Sequence, residues 1–188
     1  MIVPLLAHTD ADAWRWRPAT GADVTDMVTL AQQHFESEIT PFQTPSTLHY
    51  SRNLTLSVVN QFFAPQEHLL MVARHVADQE LMAYTWVERN QHAWWSEDEI
   101  AQVNVAHCHM QIPARTRLKL ISQQIDLWET WARSGGIPVV CSTTMREDQA
   151  GFLRLHEQHG FVVRGSFAYL RVPATQGAGH AKNASEAL

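Results

Sequence analysis

ARTRLKLISQQ, residues Ala114 to Gln124, joins two unlike runs. Ahead of it lies EIAQVNVAHCHMQIP, which is apolar-rich and reads as a strand. Its second half overlaps LKLISQQIDLWETWARSGG, where Leu118, Ile121, Ile125, Trp128 and Ala132 recur at helical spacing. The stretch is therefore a strand-to-helix junction. Free backbone N–H groups point outward at such junctions and often hold phosphates. Phosphate loops are usually glycine-rich, so that the backbone can come close. This one has no glycine and offers Arg115, Arg117 and Lys119 among leucines and an isoleucine. Two readings stand: a phosphate site gripped by cationic side chains, or a former site that no longer binds. Three cations at a helix N-terminus oppose its dipole, a mild cost that a bound anion would relieve.

Working outward, AWRWRPA reads as a short strand ended by proline, and TGADVTDMVTLAQQHFESEI as a helix capped by Thr20 or Asp23. Val24, Met27, Val28 and Ala31 line one face of that helix. A second helix starts at Thr44 or Ser46, with Leu48, Leu54, Val58, Val59 and Phe62 as apolar contacts, and Pro65 ends it. HLLMVARH and ELMAYTWVER are strands around a VADQ turn. In IAQVNVAHCHM, alternation puts Val103, Val105, His107 and His109 on one face and Asn104, Ala106, Cys108 and Met110 on the other. Gly135-Gly136 stops the helix that follows. IPVVCSTT is a buried-type strand, REDQAGFLRLHEQHG a helix, and FVVRGSFAYLRV a last strand region. The order β-α-α-β-β-β-α-β-α-β gives an α/β (α+β) chain with a mixed sheet and helices on its faces. One domain over residues 1–172 is expected. The polar tail 173–188 is expected to be disordered unless a partner orders it.

The chain has 188 residues, 45% of them hydrophobic, enough for one core. A net charge of −5 disfavours general binding to nucleic acid or anionic membrane. Two cysteines, Cys108 and Cys141, suggest no disulfide framework and fit a reducing, cytoplasmic setting. Buried structural roles suit them better than nucleophilic ones, since no activating pattern accompanies them. No signal peptide is read at the start, and no apolar run nears the ~18 residues of a membrane span. The 7 Trp and 11 His are high for this length. Trp94 and Trp95, followed by SEDE, suit either a docking loop or packing on the sheet.

This order resembles the GNAT superfamily, the GCN5-related N-acetyltransferases, over roughly Trp14 to Val172. The sharpest part runs from LISQQIDLWETWARSGGI through PVVCSTT to REDQAGFLRLHEQHGFVVRG, with Gly160-Phe161 in place of the family's Gly-Phe pair. RPATGADVTDMVTLA is similar to the family's first strand and helix. The resemblance implies a mostly antiparallel sheet flanked by about four helices, two strands splayed to admit pantetheine, and acetyl-CoA as acyl donor to an amine. The family's pyrophosphate pattern, Gln/Arg-x-x-Gly-x-Gly/Ala, falls on the opening stretch. Arg115 matches its first position, but Leu118 and Leu120, or in the next register Lys119 and Ile121, replace its small residues.

The resemblance further implies His107 or His109 as general base and His156, in place of a tyrosine, as general acid. Cofactor contacts would come from Met110, Ile112, Arg115, Arg117, Lys119 and Gln149, the last standing where an Asn commonly lies. Backbone near His109 to Ile112 would pair with pantetheine. Read from the residues alone, His107 and His109 are simply packed on a half-buried strand, or form a metal pair for which the sequence shows no third ligand. The alternative function is a GNAT fold kept without catalysis, as an interaction or structural protein. In that form the chain also resembles bacteriophage virion components, internal or head-tail, whose protein partners would order the tail by contact.

Overall fold

The structure, a computed structural model, describes residues 13–40, 43–92, 95–146 and 149–165, with backbone alone at 37 and 90–92. Five strands form one sheet in the order β1-β2-β3-β4-β5: Trp14–Pro18, His68–His75, Leu81–His92, Glu99–Cys108 and Val139–Ser142. All neighbours are antiparallel except β4 and β5, which run parallel. The helices are α1 (Val24–Glu38), α2 (Thr47–Phe63), α3 (Ala114–Gly135) and α4 (Ala150–Gln158). This is the mixed, mostly antiparallel sheet with four helices that the sequence predicts. Of the expected last strand, 161–165 carries no strand and the remainder lies outside the described residues, as do Trp94 and the tail.

The sheet has an apolar cluster on each face. One joins Trp14, Trp16, Leu69, Val103 and Cys108 to Leu120, Ile125 and Trp128 of α3. The other joins Leu70, Val72 and Tyr84 to Met27, Leu30 and Ala31 of α1 and Leu54 of α2. Val24, Met27 and Ala31 are buried on α1 as their spacing predicts, with Val28 packed beside them. α2 differs from expectation. Leu54 is buried and Val58 packs, but Leu48 and Phe62 are 81% and 80% exposed and Val59 is half-exposed. The helix presents only its Tyr50–Leu54–Ser57–Val58 side to the core, so the remaining apolar side chains face outward.

Caps resolve as local chemistry directs. The Ser46 hydroxyl accepts from the His49 N–H and caps α2. Gly136 takes φ +69 after α3, a left-handed position that favours glycine. Ahead of α1, a 3₁₀ turn (Gly21–Asp23) places the Asp23 carboxylate beneath two strands. It accepts two bonds from Arg17 at 2.7 Å, one from Arg74 at 2.8 Å, and the N–H and hydroxyl of Thr20.

Burial pushes the Asp23 carboxyl up, but the bonds from Arg17, Thr20 and Arg74 outweigh it and hold it well below the usual carboxylate range. A depressed carboxylate stabilises the fold at pH above its unfolded value, near ~4, and that contribution is lost as pH falls. Asp23→Asn is expected to cost about 2 kcal/mol in urea unfolding at pH 7, because it removes the charge that Arg17 and Arg74 share, while Arg74 keeps its pair with Asp26. The deficit relative to wild type should shrink as pH falls from 5 to 3, with both proteins followed by circular dichroism.

Candidate active site

β4 pairs with β5 only from Ile100↔Val139 to Val103↔Ser142. β4 then continues to Cys108, whereas β5 has ended. The edge of β4 from residue 104 onward therefore has no strand partner among the described residues. A cleft of about 490 Å³ opens there, lined by Val105, His107, Thr143, Arg146, Leu118 and Phe152 among others. Within it, Asn104 lies between the pairs Trp86↔Val105 and Val87↔Val103 with no β3 residue opposite. It is a β-bulge, and it reverses the alternation. Val103 faces the α3 cluster, whereas Val105 faces the α1 cluster. The expected grouping of Val103 with Val105 and His107 is corrected accordingly; a period of two cannot run through an extra residue.

The bulge delivers His107 to the end of α1. Its Nε2 lies 3.1 Å from Glu38 Oε2, and its Nδ1 lies 2.9 Å from the Tyr84 hydroxyl. Tyr84 in turn lies 2.6 Å from the Tyr50 hydroxyl. One helical turn before Glu38, His34 Nδ1 is 3.0 Å from Glu38 Oε1, and His34 Nε2 is 2.8 Å from the Cys108 carbonyl. Arg146 forms an ion pair with Glu38 Oε1 at 3.5 Å. The His34 and His107 rings stack at 4.1 Å, 5° from parallel.

Hydrogen-bond counting fixes the protons. A carboxylate and a carbonyl only accept. Both ring nitrogens of His34 face such acceptors. His107 Nε2 also faces the carboxylate and donates to it. In a neutral ring Nδ1 then accepts from Tyr84, which accepts from Tyr50. Burial lowers the His107 pKa; the Glu38 bond opposes this and the His34 charge reinforces it, leaving a net lowering. Burial pushes Glu38 up, but the bonds from His107 and His34 win and hold it well below the usual range. Burial raises both tyrosines.

His34, Glu38 and His107 bring ligand-type atoms within 4.8 Å of one another. Two imidazoles sharing a metal must aim their lone pairs at one point, close to both ring planes. Parallel stacked rings aim them side by side, so the set fits a carboxylate bridged by two N–H donors better than an ion.

The sequence-derived candidates disperse around this centre. His107 belongs to it. His109 lies instead near Glu80 at 3.7 Å, with its N–H bonded to Met82. His156 is buried between Phe152, Trp128 and Phe161, its Nδ1 on the Phe152 carbonyl, and lines the neighbouring hollow beside β5 together with Gln149. Burial lowers its pKa. Met110 lines the cleft, but its N–H bonds Gln33 and its carbonyl accepts from Arg117, while the Gln111 N–H bonds His109. Ile112 packs on the α3 cluster. The N–H groups of His109, Met110 and Gln111 are thus already bonded, and the strand edge without a strand partner among the described residues is that of β4 from 104.

The opening stretch is helical from Ala114, so the amides of 117–121 are spent within α3. Only those of Ala114, Arg115 and Thr116 precede the first helical bond, which Arg117 makes to Pro113. Arg117 lines the cleft, Arg115 is exposed, and the Lys119 ammonium sits 5.4 Å from the Trp14 ring. The three cations do not converge. Leu120 is buried in the core, and Leu118, half-exposed, lines the cleft without filling it. Sequence reasoning missed His34, Glu38, Tyr50, Tyr84 and Arg146. Only one pair among these left a local signal: His34 and Glu38 are four apart on one helix face.

Sheet and cleft together define the fold of the GNAT acetyltransferases. Glucosamine-6-phosphate N-acetyltransferase from Arabidopsis thaliana matches at TM-score 0.62 and 10% identity, over 86% of this chain and 100% of its own. A predicted acetyltransferase from Clostridium acetobutylicum, solved with acetyl-CoA, matches at 0.64 and 10%, over 84% and 96%. A structure described as a transcriptional regulator, from Bacillus halodurans C-125, matches at 0.55 and 19%, over 85% and 99%. No family model and no curated protein matches the sequence. No helix among the described residues is long and apolar enough to cross a membrane.

Burial pushes the Cys108 thiol up to about 12 and raises Cys141 as well, which is only half-buried. Iodoacetamide at pH 8 should therefore label Cys141 slowly and leave Cys108 unmodified until the protein is unfolded, as read by peptide mass spectrometry.

Proposed function

We propose that the chain is an atypical N-acetyltransferase that takes acetyl-CoA into the cleft beside β4 and passes the acetyl group to an amine. The observation that carries this reading is the open β4 edge beyond Val103, with His107 and Glu38 beside it. A single unpaired strand edge offers pantetheine amides the N–H and C=O groups that a fifth strand would otherwise use. The donor supplies an activated thioester. The protein's own residues do the rest. Glu38, ionised and partly exposed to the cleft, holds an incoming ammonium. His107, held neutral, donates its Nε2–H to Glu38 and so orients the carboxylate that takes the proton the amine releases. Arg117 and Ala114 line the mouth, with the first-turn amides of Arg115 and Thr116 following, and phosphates of the donor would lie there. This grip is weaker than a glycine loop provides, because the helix has taken up the amides that follow.

That same feature favours a second reading, in which the fold is kept for interaction and acetyl-CoA does not bind. Calorimetric titration with acetyl-CoA separates the two. Saturable binding that weakens about tenfold, or ~1.4 kcal/mol, in Arg117→Ala supports the enzyme. No heat at millimolar acetyl-CoA sinks it. In a thiol-release assay over a panel of primary amines, Glu38→Gln should still bind acetyl-CoA yet lose at least ~100-fold in turnover.

A further inference from the structure

We propose that Tyr84, backed by Tyr50, is a positioning residue for His107: from the neighbouring strand it donates to Nδ1, supports the Nε2–H tautomer that Glu38 imposes, and exchanges protons with the ring. The inference deepens the acetyltransferase reading and rests on it for its purpose, though not for its geometry.

His107 is held at both ring nitrogens. On the cleft side it meets Glu38, which only accepts. On the other side it meets a hydroxyl, which can donate or accept. That asymmetry matters. A carbonyl or carboxylate at Nδ1 would demand a proton there, and His107 would be driven toward the imidazolium form. A hydroxyl makes no such demand. It donates to a bare Nδ1 or accepts from a protonated one, and no heavy atom moves. Tyr50 repeats the property one step further out, 2.6 Å from Tyr84. Tyr84 is fully buried, so its hydroxyl would be orphaned without these two partners.

The chain conserves protons in either direction. When Nε2 gives a proton into the cleft, Nδ1 takes the Tyr84 proton, Tyr84 takes the Tyr50 proton, and Tyr50 takes one from water. From the Nδ1–H ring that this leaves, the reverse transfer takes a proton back at Nε2 as another departs from Tyr50. The groups facing His107 are Glu38 and His34 from α1, Tyr84 from β3 with Tyr50 of α2 behind it, and Arg146 from the segment after β5. From α3, Gln124 holds its carbonyl. The two cations oppose a second positive charge on His107, and Tyr84 is the group that stabilises its neutral form by donating to it.

The test is imidazole NMR on ¹⁵N-labelled protein with a chelator present, the His107 signals assigned by their loss in His107→Gln. It needs no acetyl-CoA and no substrate, so it stands or falls apart from the acetyltransferase reading. The wild-type ring should be the Nε2–H tautomer at neutral pH. In Tyr84→Phe the midpoint of His107 should rise by about one pH unit, since a donor to the neutral form is gone. Tyr50→Phe, a milder change at a partly exposed ring, should move it the same way by less. A wild-type Nδ1–H tautomer overturns the proposal, as does an unmoved or lowered midpoint in folded Tyr84→Phe or, should that variant not fold, in Tyr50→Phe. Signals that shift when the chelator is replaced by zinc ion also overturn it, because an ion would then hold Nε2.

Discussion

β3 has no residue to set against Asn104, and the site follows from that mismatch. Without the extra residue, the alternation through Ala101 and Val103 would send His107 into the apolar cluster with Leu120 and Trp128. An imidazole stranded there would lose its hydrogen bonds at a cost of about 1–3 kcal/mol. With it, the ring crosses to α1 and meets Glu38. The bulge also coincides with the last β4–β5 pair, Val103↔Ser142. Bulged strands bend and twist more strongly. Reversal of the side chains and opening of the cleft thus occur at one place in one strand.

α3 is held to this bent sheet by polar pins as well as by apolar area. Gln124, fully buried, donates toward the carbonyls of Tyr84 and His107 at 3.3 and 3.2 Å. Gln123 Oε1 accepts from the indoles of both Trp14 and Trp16 at 2.8 Å. Trp128 donates to the Thr85 hydroxyl, which donates to the Val105 carbonyl. Each bond has a definite partner and so fixes the register of the helix more tightly than leucines alone would. The helix that begins at the cleft thereby clamps the backbone of two residues in the hydroxyl–imidazole chain.

The sequence disclosed what depends on period and punctuation. Helices and strands through α4, the Gly136 stop and the buried stripe of α1 follow from spacing and caps, and the GNAT fold follows from their order. What depends on one residue of register was not legible. Asn104 looks like any polar position in an alternating strand, so the facing of Val103 came out reversed. The start of α3 is not marked in the sequence, because its first turn, Ala114 to Arg117, carries no apolar stripe. The tryptophans read as core or contact surface divide by position: Trp14, Trp16, Trp128 and Trp131 are core, and Trp95 is 87% exposed. Most of the site was hidden for a different reason. His34 and Glu38 meet His107 from some seventy residues away. Tyr50 and Tyr84 read as ordinary aromatics until the sheet places their hydroxyls in line.

Charge explains why the centre has room for a ligand. Glu38 sits in a half-buried position that would be costly for a lone carboxylate. Its compensation comes from an N–H of His34, an N–H of His107 and the guanidinium of Arg146. His107 is held toward its neutral form, first by burial, and the parallel stack of the rings reinforces this. Two imidazolium rings 4.1 Å apart would repel strongly at this depth, so one positive charge is the stable number. A carboxylate has about four lone-pair sites, and three donors leave one. A cationic amine at that fourth site would complete the shell of Glu38 and lie next to the neutral ring. A neutral or anionic ligand would find only an acceptor already close to saturation and a guanidinium that is already paired. The arrangement therefore favours positive charge at the one acceptor position that the carboxylate has left.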